Sequence, residues 1–330
     1  MRVGAPFRAR WWRCGIGVAL LSAAGCAGDG ATSTPRLTWT PVDSVNATLP
    51  PGIRVYAGRN AVIPLRAWYA EIDEPSRDIE TRISLSDDLT DRRETVSSFA
   101  SLPRACLAVN GGYFSMDYTP AIHAGLLYAD HQLYAPATRT VTRDSVSYRV
   151  ARAAIGFTST DDVELEWVTT EGDTLYAWSR PPPNRPGAPA EFPAAEARPW
   201  PVRDALSAGP MLVRDSAIRV TTDAEVFFGS AIPNVHPRTA AGRTGDGKLL
   251  VLVIDGRQPE SKGVTLEELA AIMRDLGAVD ALNLDGGGSS ALVVHGVLLN
   301  RPAGNTNERE VMSALVTFCV PPTPDLRDTP

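Results

Sequence analysis

The sequence predicts an α+β fold: a mixed, largely antiparallel sheet with few helices in one domain. Three observations carry this. Short apolar runs with period-two alternation recur along the chain, separated by turn residues. Only one segment has a helical apolar period with a start and a stop signal. Strands and helices never alternate in the βαβ manner. With 330 residues, 44% hydrophobic and 21% charged, the composition is that of an ordinary globular protein. The net charge of −6 argues against a general nucleic-acid binder.

The first strand-like segments are Ile53-Arg54-Val55-Tyr56 and the alternating run from Leu65 to Ile72. Residues 76–102 are polar and mixed, and read as a helix with its loops. Leu126–Tyr128 and Leu133-Tyr134 flank Ala129-Asp130-His131-Gln132, a hairpin signal. Ala153–Phe157, Val163–Val168 and Leu175–Trp178 continue the strand pattern. Residues 181–201 hold eight prolines, which exclude a ladder role and predict a long surface loop or a flap over a site. Met211–Arg214 and Ala217–Val220, split by Asp215-Ser216, form another hairpin, and Leu249–Ile254 reads as a strand buried on both faces. The helix spans 266–276: Thr265 and Glu268 form a capping box, Leu266, Leu269, Met273 and Leu276 the apolar stripe, and Gly277 the stop. Ala281–Leu284, a hairpin around His295-Gly296 and a last strand over 312–320 complete the domain.

The ends read differently. Residues 1–25 form a signal peptide: Arg2, Arg8, Arg10 and Arg13 precede a short apolar stretch that ends in small residues before Cys26. That ending is similar to a lipobox, in which Cys26 carries a lipid anchor to the outer membrane; simple cleavage and secretion is the alternative. Removing residues 1–25 takes four arginines and no acid, so the charge falls from −6 to −10. Residues 26–50 read as a tether, 51–320 as the domain and 321–330 as a disordered, proline-bearing tail. Export leaves Cys106 and Cys319 in an oxidising compartment, where they form a disulfide or stay as two buried thiols.

Four clusters share one form, a strand end followed at once by glycine or polar residues. They are Asn110-Gly111-Gly112-Tyr113-Phe114, Asn234 to Gly242 around Arg238 and Thr239, Asp255-Gly256-Arg257, and Asn283 to Ser290 with Asp285 and Gly286-Gly287-Gly288-Ser289. Sites form at strand ends because the sheet fixes the backbone while the loop stays accessible. No P-loop, dinucleotide fingerprint, zinc spacing or EF-hand pattern occurs. Gly287-Gly288-Ser289-Ser290-Ala291 only approximates a nucleophile elbow and lacks the downstream acid and histidine order. His123 and His236 lie near clusters and are candidates for structural or catalytic roles.

Taken together and in this order, the clusters resemble the phosphodiester glycosidase family. The resemblance runs from about 53 to 320, densest over 200–318, and includes Ala208-Gly209-Pro210, Gly263 to Leu269 and Asn307-Glu308-Arg309. It implies hydrolysis of a sugar-1-phosphodiester of the N-acetylglucosamine-1-phosphate type in an envelope or extracellular glycan. The alternative is a non-catalytic envelope protein that binds phosphorylated glycan or supports exopolysaccharide biosynthesis. Cleaving such a bond calls for carboxylates, with Asp285 and Asp255 first and Glu308 next. Arg238, Arg257 and Arg309 offer bidentate contacts to phosphate. Asn110, Gly111, Gly112, Thr239, Gly286, Gly287, Gly288 and Ser289 are the candidates for holding sugar hydroxyls or phosphate oxygens. No cofactor is implied, a divalent cation beside the aspartates stays open, and the partners are the glycan substrate and the membrane, not nucleic acid.

Overall fold

Three antiparallel sheets share one apolar core. A computed structural model describes residues 36–60, 62–73, 78–192, 197–304 and 307–319. The predicted signal peptide, Cys26 and the tail 321–330 lie outside the described residues. The largest sheet has eight strands in the order Thr38–Pro41, Ile53–Arg59, Arg66–Ile72, Leu249–Ile254, Arg238–Thr244, Ala278–Asn283, Met211–Arg214 and Ala217–Ile218. The second has seven, in the order Ala197–Pro199, Thr174–Trp178, Val163–Glu171, Arg152–Phe157, Asp204–Ser207, Leu127–Ala129 and Gln132–Ala135. The third has five, in the order Val297–Leu298, Leu292–Val294, Ala105–Asn110, Ser313–Cys319 and Ile79–Leu85.

The side-chain period of two explains the layering. Along Leu249–Ile254, Val251 and Val253 face a core shared with Ile155, Phe157 and Trp167 of the second sheet and Val109, Leu292 and Leu315 of the third. Leu250, Leu252 and Ile254 face the other way, onto Leu266, Leu269 and Met273 of the helix. Each such fully buried aliphatic side chain stabilises the fold by roughly 1.5–3 kcal/mol. The helix Leu266–Asp275 starts as the sequence predicts: Thr265 Oγ1 accepts from Glu268 N at 3.2 Å, and Glu268 Oε2 accepts from Thr265 N at 2.9 Å. Its stop is Gly277, at φ 95°. The three hairpins expected from the sequence turn at Asp130-His131, Asp215-Ser216 and His295-Gly296, all at positive φ, and Asp144-Ser145 makes a further turn of the same kind. Cys106 and Cys319 are joined by a disulfide, with Cα atoms 5.8 Å apart.

Several expectations need correction. The tether cannot extend to 50: Thr38–Pro41 pairs with Ile53–Arg59, Trp39 packs edge-on against Tyr69 at 4.7 Å, and Leu49 is buried. Residues 76–102 hold a strand, Ile79–Leu85, as well as the short helix Val96–Phe99; Ile79, Thr81 and Ile83 face inward, while Glu80 and Arg82 form an ion pair at 2.6 Å. The proline-rich segment does enter a ladder, because Ala197–Pro199 pairs with Thr174–Trp178 as the outermost strand, where a missing N–H costs nothing. Nor is its start a free flap. Buried Asn184 donates Nδ2 to the carbonyls of Arg149 at 2.8 Å and Ala224 at 3.0 Å, and its Oδ1 accepts from Ala190 N at 2.8 Å.

Candidate active site

The strand-end clusters converge, and Asn110 is the staple. Its Oδ1 accepts from Thr239 Oγ1 at 2.7 Å and from Ala291 N at 3.2 Å, and its Nδ2 donates to Asp285 O at 2.7 Å. Asp285 N in turn donates to Gly111 O at 3.1 Å. Asn110, Gly111 and Thr239 therefore hold the main chain of the Asp285 loop. Asn110 and Thr239 are fully buried and do not line the cavity, so the expectation that they grip sugar or phosphate directly is corrected to a scaffolding position. Gly112 fits against Ser207 O and the His123 ring, where a Cβ would sit 2.6 and 2.9 Å away; it too is packed in rather than presented to a ligand.

The cavity has a volume of about 170 Å³ and is lined by Tyr113, Ala231, Ile232, His236, Arg238, Arg257, Asn283, Asp285, Gly286, Gly287, Gly288 and Arg309. That is small beside the roughly 300–1,000 Å³ of ordinary ligand pockets, so it takes one compact group rather than a length of polymer. A larger cleft of about 490 Å³ lies between Trp178, Phe192 and Arg139, but none of the strand-end clusters reaches it.

Asp285 is the one carboxylate among the described lining residues. Its Oδ1 accepts from Gly286 N at 2.9 Å. Burial pushes its pKa up to about 6, although the nearby Ser289 hydroxyl, the Gly286 N–H and the Arg309 charge pull the other way. Gly286 has to be glycine, since a Cβ there would lie 2.8 Å from Pro237 O.

Three arginines surround this carboxylate. Arg238 is buried and donates Nε to Val264 O at 3.2 Å and Nη2 to the carbonyls of Ile232, at 2.8 Å, and Asn234. Desolvation lowers its pKa to about 10, which leaves it charged at neutral pH. Arg257 donates Nη2 to His236 Nδ1 at 3.0 Å, while His236 Nε2 lies 2.8 Å from Ala231 O. His236 is thus a neutral ring that orients Arg257; burial and the two arginine charges hold its pKa down. Arg309 lies over Gly288, where an added Cβ would meet its guanidinium. None of the three forms an ion pair with a carboxylate among the described residues.

The other predicted acids lie elsewhere. Asp255 is fully buried; its Oδ1 accepts from Asn300 Nδ2 at 3.1 Å and Arg301 N at 3.0 Å, and it does not line the cavity. Glu308 Oε1 accepts from Ser97 N at 3.1 Å, at the start of the short helix Val96–Phe99. The expectation of a carboxylate pair is corrected: one carboxylate faces the cavity and the other two acids are spent on main-chain donors. Ser289 is buried beside Asp285, with its hydroxyl placed to favour the ionised carboxylate. His123 is buried with Nδ1 3.0 Å from Gly125 O, and desolvation takes its pKa down to about 4, a neutral structural ring outside the cavity. No group of three or more His, Cys, Asp or Glu side chains among the described residues is placed to hold a metal ion.

Tyr113 and Asn283, named in the strand-end clusters without a site role, also line the cavity, as do Ala231 and Ile232, which lie outside those clusters. Asn283 Nδ2 donates to Tyr113 Oη at 2.6 Å, Gly209 O at 3.1 Å and Leu284 O at 2.7 Å, and Tyr113 Oη donates to Gly209 O at 2.8 Å. The signal for Asn283 was its place two residues before Asp285, the same-face spacing at a strand end.

The profile of the phosphodiester glycosidase family matches residues 103–318, which span all of these clusters. The chain belongs to the phosphodiester glycosidase family. Among relatives of this family, the SPbeta prophage-derived uncharacterized protein YomE of Bacillus subtilis is 29% identical over 68% of this chain and 30% of its own length. The N-acetylglucosamine-1-phosphodiester alpha-N-acetylglucosaminidase of Mus musculus is 36% identical over 24% of this chain and 16% of its own. The matched segments thus cover less than a third of either relative. Among solved structures, the zebrafish N-acetylglucosamine-1-phosphodiester alpha-N-acetylglucosaminidase catalytic domain, auto-inhibited by its pro-peptide, superposes with a TM-score of 0.58 at 19% identity, over 86% of this chain and 88% of that one. A hypothetical protein from Synechocystis gives 0.57 at 18% identity, over 86% and 68%. At these identities the structures share the fold. No helix among the described residues is long and apolar enough to cross a membrane.

Proposed function

We propose that this member of the family is a hydrolase that cleaves the glycosidic bond of a sugar-1-phosphodiester, of the N-acetylglucosamine-1-phosphate type, in an envelope or extracellular glycan. The observation that carries the reading is a single carboxylate in a small cavity facing three arginines that form no ion pair among the described residues. The arginines take the phosphodiester, with Arg238 and Arg257 already oriented by carbonyls and by His236. Asp285 acts as the general base: it accepts a proton from the water that attacks the anomeric carbon. The C1–O bond breaks, and its electrons leave on the phosphate oxygen as a phosphomonoester. That leaving group is stable as an anion, so no second carboxyl is needed to protonate it, unlike at an ordinary glycoside, where two carboxylates share the work. The relatives named for this activity lend it support, as does the family profile.

The N-terminal pattern supports export, with the mature chain starting at lipid-modified Cys26 in the outer membrane. The test of activity is sugar release from UDP-N-acetylglucosamine and from a synthetic sugar phosphodiester. Absence of release from both, with folded protein, refutes the hydrolase reading. Membrane fractionation of Cys26→Ser tests the anchor: unchanged partitioning refutes it.

A further inference from the structure

The cavity carries more positive charge than its substrate can match. Three guanidinium groups face one carboxylate, a formal excess of two charges with Asp285 ionised. A phosphodiester brings one negative charge and leaves an excess of one. A phosphomonoester brings close to two, since its second pKa is about 6, and closes the balance. Resting on the hydrolase reading of this site, we propose that the cavity is built for the dianion that hydrolysis creates: the released phosphomonoester binds more tightly than the phosphodiester substrate and restrains turnover as a product inhibitor.

The geometry favours this over a site that relaxes around a single charge. Arg238 is fixed by carbonyls of three residues and cannot swing toward solvent without breaking those hydrogen bonds. Arg257 is fixed through His236, itself held by Ala231 O. With no carboxylate paired to Arg238, Arg257 or Arg309 among the described residues, an incoming dianion displaces no ion pair of theirs and meets two guanidinium groups, Arg238 and Arg257, that are already held in place. The excess charge also stabilises the bond-breaking step, in which the leaving oxygen acquires the second negative charge. Tight product binding is the cost of that stabilisation, and it makes release, rather than bond cleavage, the step that limits turnover as product accumulates.

The probes are methyl phosphate, a monoester dianion at pH 8, and dimethyl phosphate, a diester monoanion, each titrated calorimetrically into the full mature chain and into Arg309→Gln. Arg309 is exposed and makes no hydrogen bond among the described residues, so its removal takes a charge without taking a scaffold contact. The expected result is that methyl phosphate binds about tenfold or more tightly than dimethyl phosphate, a preference of about 1.4 kcal/mol, and that Arg309→Gln reduces the ratio. Equal affinities for the two probes, or an unchanged ratio in folded Arg309→Gln, overturn the proposal. Binding is read without turnover, which separates the two readings. A retained preference with no sugar release from any phosphodiester refutes the hydrolase and leaves a dianion site without a product; sugar release with no preference refutes the dianion site alone.

Discussion

Replacing Asp285 by Asn removes the charge and keeps the shape. The loop should not move, because its main chain is pinned through Asp285 O to Asn110 and Asp285 N to Gly111, and the Asn Oδ1 can still accept from Gly286 N. If the carboxylate is the general base, kcat falls by about 10²–10⁴, or about 2.7–5.5 kcal/mol, with KM little changed. The pH profile supplies an independent check. With the carboxyl at about 6 in the free protein, about nine-tenths of the wild type is ionised at pH 7 and about one-tenth at pH 5, so kcat/KM should fall close to tenfold between them. A carboxyl at its ordinary value would keep its activity down to about pH 4. Stability should move the opposite way. Because burial raises the folded pKa, the folded state binds more protons than the unfolded state between about pH 4 and 6, and stability is lost as pH rises through that window. The neutral Asn escapes this, so Asp285→Asn should melt higher than wild type at pH 7, by up to about 3 kcal/mol of stability. Steady-state kinetics from pH 4.5 to 8, with thermal melts of both proteins, decide it. A folded Asp285→Asn with near-normal kcat, or an acidic limb near pH 4, refutes the role given to Asp285.

Arg238→Lys should raise KM more than it lowers kcat, since a lysine keeps the charge but loses the fork, and it should also lower Tm, because one ammonium cannot reach all of the carbonyls that Arg238 bonds; kinetics and melts on one sample show both. Asp255→Ala should cost about 2–4 kcal/mol of stability by stranding Asn300 Nδ2 and Arg301 N, while the folded fraction keeps its kcat; a selective loss of kcat would return Asp255 to the chemistry. Breaking the Cys106–Cys319 link by Cys319→Ser should destabilise the protein by up to about 5 kcal/mol, given a sequence separation of 213 residues, and intact-mass measurement after alkylation without reductant should show no free thiol in the mature wild type. Asn184→Ala should lower Tm by removing the side chain that anchors the proline-rich segment; an unchanged melt would show that the segment is held by other contacts.

What was legible in the sequence was legible because local chemistry and global packing agree. The Thr265 and Glu268 box, the Gly277 stop and the paired turn residues at the three hairpins each state their own geometry. Ile79–Leu85 was hidden because its outward residues are charged and its inward ones include Thr81, whose hydroxyl lies 2.9 Å from Thr317 Oγ1 on the neighbouring strand. That partner lies 236 residues away, beyond any local window. Thr38–Pro41 looked like linker for the same reason: its Thr and Pro content is that of a tether, and only the pairing to Ile53–Arg59 makes it a strand. At the site, the motifs revealed which segments meet but not which way the atoms point. Asn110 and Asp255 stand at strand ends beside glycine, as Asp285 does, yet their side chains turn inward to main-chain donors and acceptors. Sequence spacing cannot rank three such residues; burial does.

The strand Ser313–Cys319 lies between Ala105–Asn110 and Ile79–Leu85, so the last strand of the described domain is an inner strand of its sheet. Until it arrives, those two strands have no bridge between them, and the shared core lacks Leu315. Synthesis proceeds from the N-terminus, so a growing chain exposes two unsatisfied strand edges and an open core until Ser313–Cys319 is made. Such a nascent chain stays unclosed and extended, and its architecture postpones closure of the core until that strand has joined.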